Sequence, residues 1–253
     1  MVKTWLKTPP LYPFYRFFWQ ALDWLYPPAC AGCDKPGSRW CKSCQAASRF
    51  PTENICPLCG DMQDNNQICP SCLDSPPPFT QLRSWGLFSG PVRQAIHRLK
   101  YQNDISLGDV LAIHLIDFYL QLGWHVDAIA PIPLHPNRLH NRGYNQSALL
   151  AFPIALKLNI PYVPKAIYRK RDTQSQVGLN KQQRLINIEN AFQANPHLVR
   201  RKTFLLIDDV TTTGATMRSC ADALLAAGAS AVYGMTLARP AFSAQSSDIF
   251  NQS

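Results

Sequence analysis

Eight of the nine cysteines in this 253-residue chain form four CxxC pairs: Cys30/Cys33, Cys41/Cys44, Cys56/Cys59 and Cys69/Cys72. Two residues between cysteines let both thiolates of a tight turn face one metal ion, and two such turns complete a tetrahedral four-thiolate site. Eight ligands predict two structural zinc ions. The simplest pairing is sequential, with Cys30, Cys33, Cys41 and Cys44 on one ion and Cys56, Cys59, Cys69 and Cys72 on the other. The spacing also permits a crossed pairing. Disulfides would need an oxidising compartment, and no export signal is recognisable. Gly32, inside the first pair, and Gly60, after the third, are expected to supply the left-handed backbone of such turns. The short spacers predict small ribbons rather than a helix-bearing finger. Aliphatic residues are scarce here, so folding is expected to depend on metal, with site formation worth on the order of 10 kcal/mol.

A second constellation lies far downstream in FLLIDDVTTTGAT, Phe204 to Thr216. Four apolar residues predict a buried strand, Asp208 and Asp209 stand at its end, and a loop of small hydroxyl residues with Gly214 leads into a helix. Small residues let backbone N–H groups converge on an anion, threonine hydroxyls add donors, and a helix N-terminus supplies a favourable field. Such a loop is a phosphate cradle. Adjacent strand residues point to opposite sides, so each acid needs a polar partner of its own. A ribose with two vicinal hydroxyls, approached by a metal ion, meets that demand.

The elements that position these groups can be read from Leu82 onward, where strand-like and helix-like stretches alternate. Strands are predicted at Trp85 to Phe88, Val126 to Ile132, Phe204 to Ile207 and Ala231 to Leu237. One helix opens at Gly90 and Pro91 with Val92, Ala95, Ile96 and Leu99 on a single face, and another runs from Leu107 to Leu122 and stops at Gly123. Further helices are expected near Gln146 to Leu158, Asn180 to Ile188 and Thr216 to Ala227. Alternation of this kind is the pattern of an α/β domain with a parallel sheet flanked by helices, whose ligands sit at the carboxyl ends of the strands. The predicted organisation is an amphipathic N-terminal segment over 1–26 with a helix from Tyr15 to Leu25, a double zinc ribbon over 27–75, a Pro-rich linker at Pro76 to Pro78, the α/β domain over 80–240 and a flexible tail over 241–253.

The FLLIDDVTTTGAT segment resembles the binding motif for 5-phosphoribosyl 1-pyrophosphate (PRPP) of type I phosphoribosyltransferases. From about Cys30 to Leu237 the chain resembles the ComF competence-protein family, which joins cysteine pairs to this fold. The resemblance implies a type I phosphoribosyltransferase fold with an N-terminal zinc-ribbon module. It implies transfer of a phosphoribosyl group from PRPP, bound with Mg2+, to an unidentified nitrogen acceptor with release of pyrophosphate. On that basis Asp208 and Asp209 bind the ribose hydroxyls, and Thr211, Thr212, Thr213, Gly214 and Thr216 hold the 5-phosphate. In APIPLHPNRLHNRGYNQS, Ala130 to Ser147, Arg138 and Arg142 stand on the loop that in related enzymes meets pyrophosphate, a role suited to the planar guanidinium fork. Asp208, Asp209 and Arg142 are the expected catalytic residues. RKRDTQSQVGLNKQQR, Arg169 to Arg184, corresponds to the loop that closes over substrate. RLKYQND, Arg98 to Asp104, departs from the family in carrying Asn103 where glycine is frequent, and asparagine also tolerates a left-handed backbone. Lys100 is expected to close a helix, with a place facing phosphate as the alternative, Cys220 to lie in the core, and the zinc module to replace the hood that selects the acceptor in related enzymes.

The net charge is +9, and 18 of the 25 Lys and Arg residues lie from Thr80 onward. Basic domains favour polyanions, whether a phosphorylated small molecule or nucleic acid. The family name adds single-stranded DNA and DNA-uptake proteins as partners. Two alternatives to an enzyme therefore stand: a PRPP or nucleotide sensor without turnover, and a DNA-uptake interaction protein using the ribbons and the basic face. No apolar run approaches the roughly 18 to 20 residues of a membrane span. The N-terminal helix is expected to pack on its own protein and the location to be cytoplasmic.

Overall fold

The computed structural model describes residues 11–25, 27–51, 54–169 and 191–241. Helix α1 (Leu11–Leu25) begins four residues before its predicted start. Pro13 lies in the first turn, where a missing N–H costs no helical hydrogen bond, so it does not end the helix. Two short helices follow, α2 (Lys42–Ala47) and α3 (Pro70–Asp74), each running on from the second cysteine pair of its set. The ribbons therefore carry helices, contrary to expectation from their spacers. Cys41 and Cys69 act as the preceding cap residues, so the knuckle turn continues directly into helix.

The α/β part begins with β1 (Gln81–Leu87), α4 (Gly90–Tyr101), α5 (Leu107–Leu122), β2 (Ala128–Pro131), α6 (Pro136–Arg142) and α7 (Gln146–Leu158). A small antiparallel pair, β3 (Ile167–Arg169) and β4 (Phe192–Ala194), follows. The chain then enters β5 (Thr203–Val210), the helix Ala215–Ala226 and β6 (Ala231–Arg239). Four strands form one parallel sheet in the order β1-β6-β5-β2. The result is a parallel sheet flanked by helices, as the resemblance implies. In central strand β5 the residues from Phe204 to Ile207 are all fully buried. Leu205 and Ile207 join the core built with α4, α5 and α7, while Phe204 and Leu206 join the core under the helix Ala215–Ala226. Alternation in that strand thus divides the domain into two layers.

Strand β1 starts four residues earlier than its apolar run suggests, because its polar residues have partners inside the protein: Gln81 Oε1 accepts from the Trp124 indole N–H, and Arg83 faces the second ribbon. Arg83 donates to the carbonyls of Pro57 at 2.8 Å and Leu82 at 2.9 Å, and Leu82 N–H donates to Leu58 O at 2.8 Å. A Cβ on Gly60 (φ +69°) would come within 2.6 Å of Leu82 O, so that glycine is needed both for its left-handed turn and for close approach. Gly32 has a different reason from the expected one. Its φ is not positive, but a Cβ there would lie 2.7 Å from Pro91 Cβ and 2.8 Å from Cys44 Sγ, and the left-handed residue of that knuckle is Asp34.

Arginines pin both ribbons to the domain. Arg98 on α4 donates to Cys30 O at 3.2 Å and to Asp34 Oδ1 at 2.7 Å. Arg239, at the end of β6 and only 4% exposed, donates to Cys59 O at 2.9 Å and to Asp61 Oδ1 at 2.7 Å. Removing one partner of a buried charge pair leaves the other desolvated, so Arg239→Met should lower the unfolding free energy of the zinc-loaded protein by about 3 kcal/mol. In the same urea titration Arg138→Met, at an exposed position, should stay within about 0.5 kcal/mol of the parent.

Candidate functional site

The eight paired cysteines gather sequentially. Cys30, Cys33, Cys41 and Cys44 form one cluster and Cys56, Cys59, Cys69 and Cys72 the other, the sulfurs of each lying within 4.8 Å of one another. Individual contacts are 3.6 Å for Cys30 to Cys44, 3.7 Å for Cys33 to Cys41 and 3.6 Å for Cys59 to Cys69. Four sulfurs around zinc at about 2.3 Å are about 3.8 Å apart, so the donor set fits this ion in chemistry and in size. Backbone N–H groups of Cys41 and Cys69 donate to Cys30 Sγ and Cys56 Sγ at 3.4 Å, which ties the two turns of each set together. These are two structural zinc-ribbon sites.

At the carboxyl end of β5 the two acids diverge as alternation requires. Asp208 Oδ1 accepts from Ser147 Oγ at 2.7 Å and from the backbone N–H of Asp209 at 3.0 Å. Asp209, with a side chain 4% exposed, faces Lys100 on α4, whose Nζ lies 3.1 Å from Oδ2. That oxygen has no aligned hydrogen-bond donor, so the lysine pairs with it by charge rather than by a directed bond. Loss of water, and then the negative charge of Asp209, hold the Asp208 carboxyl above the usual range, at about 7, against the opposing pull of Ser147 and Lys100.

Past the acids the chain opens into the threonine loop. Thr211 is buried and its N–H donates to Ala238 O at 3.0 Å, which ties the loop to β6. Thr212 and Thr213 are exposed, and Gly214 turns with φ +75° into the helix Ala215–Ala226. Thr211 to Gly214 line a cleft of about 160 Å³ whose opposite wall is the second ribbon, with Cys59, Cys69, Ser71 and Cys72. Arg218, one turn into the helix, reaches across to Cys72 Sγ at 3.9 Å.

The basic segment meets this strand end from the other side. It forms helix α6 instead of a plain loop, because His135 Nδ1 accepts from Asn137 N–H at its start and Gly143 (φ +78°) closes it. Arg142 donates to Gln146 Oε1 at 2.5 Å and lies over the Tyr101 ring at 5.5 Å, whereas Arg138 is exposed. Asn145 caps α7, and its Nδ2 donates to Ile132 O at 2.9 Å, which brings Ser147 to Asp208. The motifs do not point to Lys100 and Ser147 as the partners of the two acids. Lys100 is held because Asn103 adopts the left-handed turn (φ +54°) and Tyr144 Oη donates to Leu99 O at 2.6 Å. Cys220 is fully buried in the core, as expected. The Arg169 to Arg184 loop beyond its first residue, the Asn180 to Ile188 helix, and the 241–253 tail beyond Ala241 lie outside the described residues.

Fold and site together define a phosphoribosyl transferase domain joined to a double zinc ribbon. Family models agree, matching a double zinc ribbon domain over residues 21–73 and a phosphoribosyl transferase domain over residues 145–247. Competence protein F of Haemophilus influenzae is 32% identical over 213 residues, 79% of this chain and 90% of that protein. DNA utilization protein YhgH of Escherichia coli K12 is 32% identical over 205 residues, covering 79% and 89% of the two chains. Competence protein ComFC of Bacillus subtilis is 27% identical over 215 residues, covering 81% and 86%. The chain belongs to this ComF family. No helix among the described residues is long and apolar enough to cross a membrane.

Metal analysis of protein purified under reducing conditions should return about two zinc ions per chain, since each cluster is a complete tetrahedral set. One ion with four cysteines alkylated in the folded state would contradict the double site. The raised Asp208 value has its own signature. A carboxyl that holds its proton more tightly when folded contributes stability at low pH and loses it as pH rises from the unfolded value, about 3.9, through the folded one, about 7. Asp208→Asn should therefore gain stability relative to the parent by about 2 kcal/mol between pH 5.5 and 8.5. A pH-independent difference in chemical denaturation would refute that placement of charge.

Proposed function

We propose that the chain binds PRPP with Mg2+ at the carboxyl end of β5 and transfers its phosphoribosyl group to a nitrogen acceptor, releasing pyrophosphate. One observation carries the reading: two adjacent, separately partnered carboxylates run straight into an open threonine loop at a helix start. Ribose hydroxyls can donate to Asp208 and Asp209, while the threonine hydroxyls from Thr211 to Thr216 and the N–H groups that follow Thr211 receive the 5-phosphate. Carboxylate oxygens are the hard donors that Mg2+ favours, and the ion would neutralise part of the pyrophosphate charge when bound.

Displacement at the anomeric carbon leaves that carbon positive in the transition state and the pyrophosphate negative. Catalysis is then chiefly positioning and charge stabilisation, with Arg142, held by Gln146 and Tyr101, and the exposed Arg138 serving the leaving group. Asp208, half-buried with a value near neutrality, is suited to accept the proton that the nitrogen nucleophile loses. The second ribbon walls the phosphate side of the cleft, which supports the idea that the zinc module takes the place of the acceptor-selecting hood. The relatives' names support a link to DNA uptake and use, and the free cysteines among the described residues support a reducing, cytoplasmic setting.

A ligand that binds only the folded state raises its stability by about 2.7 kcal/mol at a hundredfold excess over Kd. PRPP with magnesium should raise the Tm accordingly, and Asp208→Asn and Asp209→Asn should remove the rise while remaining folded. Pyrophosphate release over a panel of bases and amines then tests turnover. Tight PRPP binding without release from any acceptor would make the protein a sensor.

A further inference from the structure

The Asp209 carboxylate is almost wholly removed from water, and one of its oxygens lacks any aligned hydrogen bond. A buried carboxylate so placed needs a cation, and the chain supplies one from a different element: Lys100 Nζ, 3.1 Å away, at the last turn of α4.

The lysine is not a free surface side chain that happens to reach the acid. Its helix is fixed at the preceding residue by the Tyr144 hydroxyl on Leu99 O and two residues before the lysine by Arg98, which spans Cys30 O and the carboxylates of Asp34 and Asp104. The next residue, Tyr101, lies under the Arg142 guanidinium. The ammonium is therefore preset in place before any ligand arrives, and the charge of one of the two adjacent acids is balanced from within the protein.

We propose that Lys100 is a positioning residue of the ribose site: it balances and aims the Asp209 side chain, and occupies the face of that carboxylate which a divalent cation would otherwise take. Asp208 is then the acid left open to an incoming cation. This rests on the reading of the strand end as a PRPP site for its ligand, but its central claim concerns the chain alone.

Manganese without PRPP, followed by electron paramagnetic resonance, tests that claim directly. Lys100→Gln uncovers a buried carboxylate, so Mn2+ should bind that variant at least about tenfold more tightly than the parent. Adding Asp209→Asn should abolish the gain, and Lys100→Arg should behave like the parent. Equal Mn2+ affinity in the parent and Lys100→Gln would overturn the proposal. If Lys100→Gln alone does not fold, the double variant with Asp209→Asn, which removes the acid as well, should fold. Failure of that double where Asp209→Asn alone folds would also overturn it.

PRPP calorimetry adds a second, separable test. The Lys100→Gln variant should lose at least about tenfold in PRPP affinity at submillimolar magnesium and recover most of it at high magnesium. An equal loss at every magnesium concentration would instead make Lys100 a direct phosphate ligand and overturn the positioning role. Absence of PRPP binding by the parent at all magnesium concentrations would overturn the ligand assignment, while the manganese result would still decide the role of Lys100.

Discussion

Two carboxylates on consecutive residues at the end of a buried strand repel each other, lose hydration and are turned by the pleat toward different neighbours. Much of the domain is arranged around that constraint. Asp208 takes a hydroxyl from the start of α7, and Asp209 takes an ammonium from the end of α4, so both helices must arrive at the same strand end in register. Each arrival has its own fastening: Asn145 bonds Ile132 O beyond β2, and Tyr144 bonds Leu99 O. A single turn, Gly143 to Gln146, thereby sets both partners of the acid pair. Arg142 is fixed by that same turn, which couples the cationic helix α6 to the acids without direct contact between them.

The ribbons contribute through charge and backbone more than through apolar area. A zinc ion with four thiolates carries a net charge of −2, and each cluster sits against arginines of the larger domain. Arg98 meets the first, while Arg83, Arg218 and Arg239 surround the second. Part of the basic excess after Thr80 thus serves the chain's own metal clusters, leaving less of it to explain by polyanion binding. The carbonyls these arginines use belong to knuckle residues whose geometry the metal fixes, so the strength of docking depends on the zinc.

The sequence made legible those features that repeat a local chemical rule. Cysteine spacing foretold the two clusters, the apolar run from Phe204 to Ile207 foretold the central strand, and Leu107 to Leu122 with Gly123 foretold α5 to the residue. What it concealed were relations between segments. Lys100 reads as an ordinary helix-closing lysine because its partner lies more than a hundred residues away, and Ser147 reads as a helix start because nothing local reveals Asp208. The start of β1 is hidden because Gln81 and Arg83 break its apolar pattern; Arg83 faces the ribbon instead of water, and a periodicity rule assumes water. The β3 and β4 pair, at three residues each, is too short to show a period.

The sheet order also has a consequence for how the chain is made. β1 is hydrogen-bonded to β6, and Ser84 contacts Thr236 across 152 residues, while the arginine that clamps the second ribbon comes 180 residues after Cys59. At translation speeds of 5 to 20 residues per second, β1 waits roughly 8 to 30 s for its neighbour. During that interval each cysteine set can fill with zinc as it leaves the ribosome, yet β1 presents an unpaired edge that could pair with another chain. Newly made protein therefore passes through a stage in which its small metal-bound end is finished and its large end is open, the stage at which chaperone capture or loss to aggregation would be decided.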